Sequence, residues 1–354
     1  MGTPVTIVQI AKESNVSIAT VSRVINGTAP VSPATRERVN AVIKKHHYTP
    51  NALARGLINR QSMTIGIIMP DIANPYFSAM FREFEAAARE ANYSVFLCNT
   101  SFFSSAGDAN TTPLEVEYFQ MMQDKRVDGV LVVGGQADLT TVNEEYKSAL
   151  RQLASLIPVV VLGGKIENVD CPFIQRESGY GVASAVDYLA MLGHRRIAFI
   201  GGENGVGITE ARLRAYQSAL RSLGLPQEPE LIVTSDYYVP DGYTAMRELL
   251  RRGTPFTAFL AVNDNVAFGA YRAIADAGLR IPQDISAISC DQFFSAEYFV
   301  PRLTSIDQHN EQFGRFVINV LLSVIGGAKE SIKLTTMPEL MIRESCISIG
   351  PARN

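Results

Sequence analysis

Two sets of side chains in this 354-residue chain have types and spacings suited to chemistry. The first lies near the N-terminus, where Ser17, Ile18, Ala19, Thr20, Ser22, Arg23 and Asn26 sit close together. On one short helix they offer hydroxyls, an amide, two apolar contacts and a guanidinium. Such a set matches base edges in the major groove of DNA, where Arg23 suits a bidentate contact to guanine and Ile18 or Ala19 suits a thymine methyl. The second set is dispersed: Asp71, Asn74, Tyr76, Phe77, Arg212, Tyr237, Asn263 and Asp291. Carboxylate, amide and guanidinium groups beside aromatic rings suit a hydroxyl-rich ligand. Rings stack on a sugar's C–H face while forked polar groups take its hydroxyls. Catalytic patterns are missing. The glycine-rich run GGENGVG (Gly201–Gly207) is neither GxGxxG nor GxxxxGK[ST], and no GxSxG elbow or His/carboxylate metal spacing occurs. The sequence therefore predicts no enzyme, no cofactor and no metal.

The elements that must carry the first set are legible. Thr6, itself a candidate DNA contact, caps a first helix, with Gln9 three residues on as capping-box partner and Ile7, Ile10 and Ala11 on its buried face. Asn15-Val16 makes a tight turn. Ser17 caps a second helix, Ile18 to about Ile25, buried through Val21, Val24 and Ile25. Ser32 caps a third, with Pro33 at its first position, running to about His47 on Val39, Val42 and Ile43. This is a helix-turn-helix, whose second helix enters the major groove with its N-terminal residues on the bases. Charge agrees. Residues 1–60 carry eight Lys/Arg and two Glu, a surplus of +6, while the whole chain is −3, leaving −9 on the other 294 residues. A polyanion is attracted to one end and repelled by the rest.

The elements carrying the second set alternate. Strands are predicted at Thr64–Met69, Ser94–Asn99, Gly129–Val133, Val159–Leu162, Arg196–Gly201, Glu230–Val233, Ala258–Val262 and Ile285–Ser289. Amphipathic helices fall between them at Tyr76–Ala91, Gly179–Leu192, Glu210–Leu223, Pro240–Arg252 and Asn265–Ala277. Continuous apolar strands separated by helices imply parallel sheets covered on both faces, and this length suits two doubly wound domains. In such sheets ligands bind beyond the strands' carboxyl ends, and the dispersed set falls at those exits. Asp264 reads as a helix N-cap. The loop SFFSSAGDANTTP (Ser101–Pro113) is small and polar, and mobility is expected there.

The run VSIATVSRVING, followed by VSPATRERV and YTPNALARGL, resembles the headpiece of the lactose/galactose repressor family of bacterial regulators. The resemblance extends through DIANPYFSAM, DKRVDGVLVVG, LGHRRIAFIGG, ARLRAYQSAL, VNDNVAFGAYRAI, IPQDISAISCDQ, AEYFVPRLTSIDQ and MPELMIRESC, almost the whole chain. It implies an α/β fold: a helix-turn-helix headpiece (residues 1–48), a hinge helix and linker (49–62), and two doubly wound parallel-sheet subdomains of the periplasmic-binding-protein type. The N-terminal subdomain would span 63–162 and ~293–325, and the C-terminal one 163–292 and ~326–354, the chain crossing three times. It further implies that Asn51, Ala54 and Leu57 belong to a hinge that orders on the operator, Leu57 wedging into the minor groove. An isolated helix of this length is marginal in water, and such a wedge kinks DNA. By position Arg212 matches the family's effector-binding arginine, Asn263 and Asp291 its polar contacts, and Phe77 and Tyr237 its ring contacts. On this reading Arg212→Ala abolishes the effector response and spares the fold.

The chain departs from the family pattern at four places. Gly56 replaces a better helix former, weakening the hinge by up to ~1 kcal/mol. Gly163-Gly164 stands where an acid often contacts the effector, so that contact is expected to be lost. Gln175-Arg176 replaces a common Asp-Asn, and Cys290 precedes Asp291 in place of an aromatic or aliphatic residue. The expected function is therefore a regulator, a repressor, whose operator affinity is set by a sugar or sugar phosphate in the cleft. Double-stranded operator DNA, the effector and a second copy in a homodimer are its partners; a protein co-regulator is the remaining one this reading allows. The end of the chain carries no leucine heptads, which argues against a coiled-coil tetramer. The alternative is a sugar-binding protein without DNA regulation, which leaves the cationic head unexplained. No run of ~18 apolar residues and no signal-peptide pattern occurs, so a cytoplasmic protein away from membranes is expected. Four scattered cysteines (Cys98, Cys171, Cys290, Cys346) without a CxxC pair fit reduced thiols.

Overall fold

The computed structural model describes residues 5–26, 29–46, 48, 61–100, 114–177, 179–327 and 336–350. It divides into two compact units, Met1–Met63 and Thr64–Asn354.

Hydroxyl caps start the helices of the first unit. Backbone amides of Gln9, Thr20 and Thr35 donate to the Oγ atoms of Thr6, Ser17 and Ser32 at 3.4, 3.2 and 3.3 Å, satisfying groups that a helix leaves orphaned. The helices are α1 (Ile7–Glu13), α2 (Ile18–Asn26) and α3 (Pro33–Lys45). Asn15 takes the left-handed conformation, φ 51°, in the turn between α1 and α2, a conformation its short polar side chain tolerates. Ile10, Ala11, Val21, Val24 and Val39 form the core. At the far end Glu13 Oε2 lies 2.7 Å from His46 Nε2 and accepts from Lys45 Nζ at 3.2 Å. These bonds tie α1 to the end of α3 and hold the Glu13 carboxyl below its usual range. The expected hinge residues Asn51, Ala54 and Leu57, Gly56, and the loop 101–113 lie outside the described residues.

The second unit holds two sheets. In the first, β1 (Thr64–Met69), β2 (Ser94–Asn99), β3 (Gly129–Val133), β4 (Val159–Leu162) and β5 (Phe173–Ile174) lie in the order β2-β1-β3-β4-β5, all parallel. Helices α4 (Pro75–Glu90) and α11 (Asn310–Ile325) cover one face through Phe84, Phe313 and Val317. Helices α5 (Leu114–Asp124) and α6 (Glu144–Leu156) cover the other through Phe119 and Tyr146. The second sheet contains β6 (Ile197–Ile200), β7 (Ile232–Val233), β8 (Ala258–Ala261), β9 (Ser286–Ser289), β10 (Thr304–Asp307) and β11 (Glu339–Met341) in the order β11-β10-β9-β8-β6-β7. It is parallel except for β11, which runs antiparallel to β10. Helices α7 (Gly179–Met191), α8 (Gly207–Ser222), α9 (Val239–Arg252) and α10 (Asp264–Asp276) pack on it. Strand order therefore repeats: the first strand of each sheet lies between the second and the third, and order reverses beside it. Those two reversals are where parallel sheets open a ligand crevice.

Two of the expected subdomain boundaries move. β5 pairs with β4, so the first crossing lies after Ile174 and not at residue 162. β10 pairs with β9, so of the segment ~293–325 only α11 returns to the first sheet. Hydropathy misses both strands for physical reasons. β5 has two residues, and β10 begins with Thr304 and Ser305, which are fully buried yet polar. Hydrogen bonds settle that burial, Arg343 N donating to Thr304 Oγ1 at 3.0 Å and Arg343 Nη1 to Ser305 Oγ at 2.7 Å.

Helices α9 and α10 touch backbone to backbone. A methyl on Gly269 would run into the Val239 carbonyl oxygen and Tyr243 nitrogen, and one on Gly242 into the Val266 carbonyl oxygen. This approach sets the spacing of two ligand-side loops, because α9 follows Tyr237 and α10 follows Asn263. Gly269→Ala should destabilise the body by at least about 2 kcal/mol through overpacking. Urea unfolding would measure it, and an unchanged midpoint would refute the contact.

Candidate functional site

The strand exits of both sheets converge on one cavity of about 380 Å³. Asn74, Tyr76 and Phe77 follow β1, Gly134 and Asp138 follow β3, and Gly163, Gly164 and Lys165 follow β4. Gln175 and Arg176 follow β5. From the second sheet come Val206, Ala211 and Arg212 after β6, Tyr237 after β7, Asn263 after β8 and Asp291 after β9. Seven of the eight residues expected from sequence to touch an effector thus line one space.

The eighth, Asp71, does not line it. Asp71 Oδ1 accepts from Ala73 N at 2.9 Å, and Oδ2 accepts from Tyr238 OH at 2.7 Å. Because Tyr238 follows the second sheet's β7, this carboxylate joins the two lobes and does not contact the cavity. Beside that bond, Thr140 N donates to Gly205 O at 2.8 Å, and Leu139 bridges to Val206.

Several cavity side chains also build the wall. Asn74 Oδ1 accepts from Tyr76 N at 3.0 Å and starts α4, turning the Tyr76 and Phe77 rings edge to face, centroids 5.0 Å apart. Asn263, and not Asp264, caps α10, its Oδ1 accepting from Val266 N at 2.9 Å while its Nδ2 donates to Tyr237 O at 3.1 Å. Asp264 Oδ2 instead accepts from Phe293 N at 2.8 Å, and burial pushes its carboxyl up to about 7. Tyr237 OH lies 2.6 Å from Thr209 Oγ1.

Arg212 and Asp291 form a closed pair. Arg212 Nη1 and Nη2 donate to Asp291 Oδ2 and Oδ1 at 3.0 and 2.9 Å, and Nη1 also donates to Val262 O. Their side chains are 4% and 7% exposed. Burial alone would lower the Arg212 pKa, but the Asp291 charge and hydrogen bonds hold it above the usual value.

The expected loss of an acid at Gly163-Gly164 has a structural counterpart. A Cβ on Gly163 would sit 2.8 Å from Ala137 Cβ and 2.9 Å from Ala137 O, so glycine lets the 135–138 turn press onto the end of β4. Gly164 N donates to Ala137 O at 2.7 Å. That turn brings Asp138 to the cavity, where burial pushes its carboxyl up to about 7. Asp138 obeys the strand-exit rule, five residues past Val133, but is not among the residues singled out from sequence. In the sequence Arg176 stands out only as a departure from the family pattern.

In the head, Ser17, Ile18, Ala19 and Arg23 are exposed on α2, Thr20 and Ser22 are half-buried, and Val21 and Val24 face the core. Thr6 is committed to capping α1. Asn26 is the last residue of α2. Residues Asn51, Ala54 and Leu57 cannot be added to this face, lying outside the described residues.

Known proteins share this organisation. The pattern of the bacterial regulatory proteins of the lacI family matches residues 6–51, and that of the periplasmic binding protein-like domain matches residues 186–346. The HTH-type transcriptional repressor PurR of Histophilus somni is 34% identical over 343 residues, covering 96% of this chain and 98% of the relative. The ribose operon repressor of Haemophilus influenzae is 32% identical over 349 residues, covering 97% and 99%. The lac repressor dimer bound to operator and the anti-inducer ONPF superposes with a TM-score of 0.84 at 25% identity, covering 98% of this chain and all of that one.

The buried pair corrects the expectation that Arg212→Ala spares the fold. Arg212→Met should cost roughly 3–5 kcal/mol by stranding Asp291, while Arg212→Met with Asp291→Leu should recover most of it. Equal stability of the single and double variants in urea would show that the pair is not desolvated.

Proposed function

The chain belongs to the lacI family of bacterial regulatory proteins, and from that premise we propose that it is a repressor whose grip on operator DNA is set by a small sugar-like effector in the cleft. It is a DNA-binding transcriptional regulator and not an enzyme. The observation that carries the effector reading is the convergence of both order reversals on one cavity lined by Asn74, Tyr76, Phe77, Arg212, Tyr237, Asn263 and Asp291. The ribose operon repressor and the ONPF-bound lac repressor are relatives whose names carry a sugar operon or a bound anti-inducer. No helix among the described residues is long and apolar enough to cross a membrane.

On DNA, the exposed edge of α2 is the reading face, with Ser17, Ile18, Ala19, Thr20, Ser22 and Arg23 toward bases or phosphates, and Asn26 is assigned to it by sequence position alone. Asn51, Ala54 and Leu57 are assigned to a hinge by family position alone. Coupling follows from lobe geometry. An effector that favours one relative orientation of the lobes changes the presentation of the heads, and one that binds both orientations equally regulates nothing. The Asp71–Tyr238 bond and the Thr140–Gly205 contact are the lobe-to-lobe links such a ligand would act on.

Two heads require two copies. Phe268, Phe294, Tyr298 and Val300 are 55, 84, 74 and 91% exposed. Phe268 packs edge to face on Phe299, 5.4 Å between centroids, and Phe294 on Tyr298 at 5.6 Å, and we group these exposed side chains as one apolar surface. Patches of this kind mark interfaces, and we assign the homodimer contact to it.

The reading is tested by screening mono- and disaccharides for a raised melting temperature, then titrating the hits into protein bound to a selected operator duplex. A hit that leaves operator affinity unchanged would refute it. Arg23→Ala should erase preference at one or two base pairs, costing ~1–3 kcal/mol; uniform weakening on every sequence would make Arg23 a phosphate contact. Val300→Asp should shift sedimentation from dimer to monomer, and a dimer that persists would move the interface elsewhere.

A further inference from the structure

We propose that the effector carries an oxyanion, a carboxylate or a phosphate, and that Arg176 binds it; this rests on the cleft being the effector site. Arg176 is half-buried and lines the cavity. Its guanidinium lies 4.0 Å from the centroid of the Phe313 ring. Nη1 donates to Gln308 O at 2.6 Å and Asn310 Oδ1 at 2.8 Å, both uncharged acceptors. Nε and Nη2 are buried without a hydrogen-bond acceptor among the described residues. Those two nitrogens form the side-on edge of a guanidinium, the edge that takes two oxygens of a carboxylate or phosphate in parallel.

The acids around it are otherwise engaged. Asp291 is closed by Arg212. Asp307 Oδ1 accepts from His309 N at 2.7 Å, and its Oδ2 lies 3.7 Å from His309 Nδ1. Asp138 lines the cavity, but its carboxyl, pushed up to about 7, is only partly ionised at neutral pH. Since Arg212 is paired with Asp291, the other charged side chains of the cavity are Arg176 and the exposed Lys165 against Asp138, whose burial favours its neutral form. Burial lowers the Arg176 pKa, as it does for a cation short of compensation. Buried charges in proteins are otherwise paired, and here the missing counter-charge belongs to the ligand. The same planar group holds Gln308 and Asn310, where the chain crosses back to the first sheet. An anion on one edge of Arg176 therefore acts on a crossing held by the other.

The test is calorimetric titration of the full chain with glucose, glucuronate and glucose 6-phosphate, and with galactose, galacturonate and galactose 6-phosphate. One anionic member is expected to bind at least roughly tenfold more tightly than its neutral parent, and which anion wins separates carboxylate from phosphate. This comparison needs no variant. In Arg176→Gln the advantage should shrink to within about threefold, and Arg176→Lys should keep part of it. A neutral parent bound as tightly as both its anions, an advantage that survives Arg176→Gln, or silence from all six ligands overturns the proposal. Failure of the underlying cleft reading looks different: Ala211→Phe, which fills the cavity without removing a hydrogen bond, would leave every measured affinity unchanged.

Discussion

The buried pair of Arg212 and Asp291 is the constraint from which the ligand-side architecture of the second lobe follows. Arg212 stands on α8, Asp291 follows β9, and the carbonyl of Val262 follows β8, so one guanidinium fixes three chain segments that approach the cavity from different directions. Both Nη nitrogens are engaged in doing so, while Nε is buried without an acceptor among the described residues. The two charges of this wall are paired with each other. Specificity therefore has to come from groups the pair leaves free, which draws attention to Arg176 and Asp138 on the other side.

Much of this was legible in the sequence, and the reasons differ by element. Strands β1 to β4 read clearly because they are apolar runs bounded by turn residues. The head read clearly because Thr6, Ser17 and Ser32 announce each helix start. Position after a strand was a reliable guide to Asn74, Tyr76, Phe77, Tyr237, Asn263 and Asp291, since topology alone sends those loops to the cavity. It misplaced Asp71, because a strand exit determines the end of the sheet but not whether a side chain turns inward or across to Tyr238. It passed over Asp138, whose turn can approach only because Gly163 has no side chain. β10 was hidden because Thr304 and Ser305 are buried by hydrogen bonding, which leaves no trace in hydropathy. The buried state of Arg212 was also beyond reach, since an arginine on a helix usually faces water.

The two lobes meet through contacts of unlike character. Asp71–Tyr238 joins side chains, Thr140–Gly205 joins backbone, and Arg176 links two crossings through Gln308 and Asn310. The first two join loops of opposite lobes. The third lies within the connecting segments. A ligand touching Arg176 and the Tyr237 wall together would thus engage both kinds of contact at once.

The return of α11 to the first sheet, after β6 to β10 have completed most of the second, has one more consequence. Neither lobe is a continuous stretch of chain, so no single cut separates them, and recombination at one point could not trade one lobe for another. The head, by contrast, is continuous and ends before Thr64. New pairings of operator and signal are therefore most readily assembled by exchanging heads, while changes in what the sensor recognises must accumulate one residue at a time.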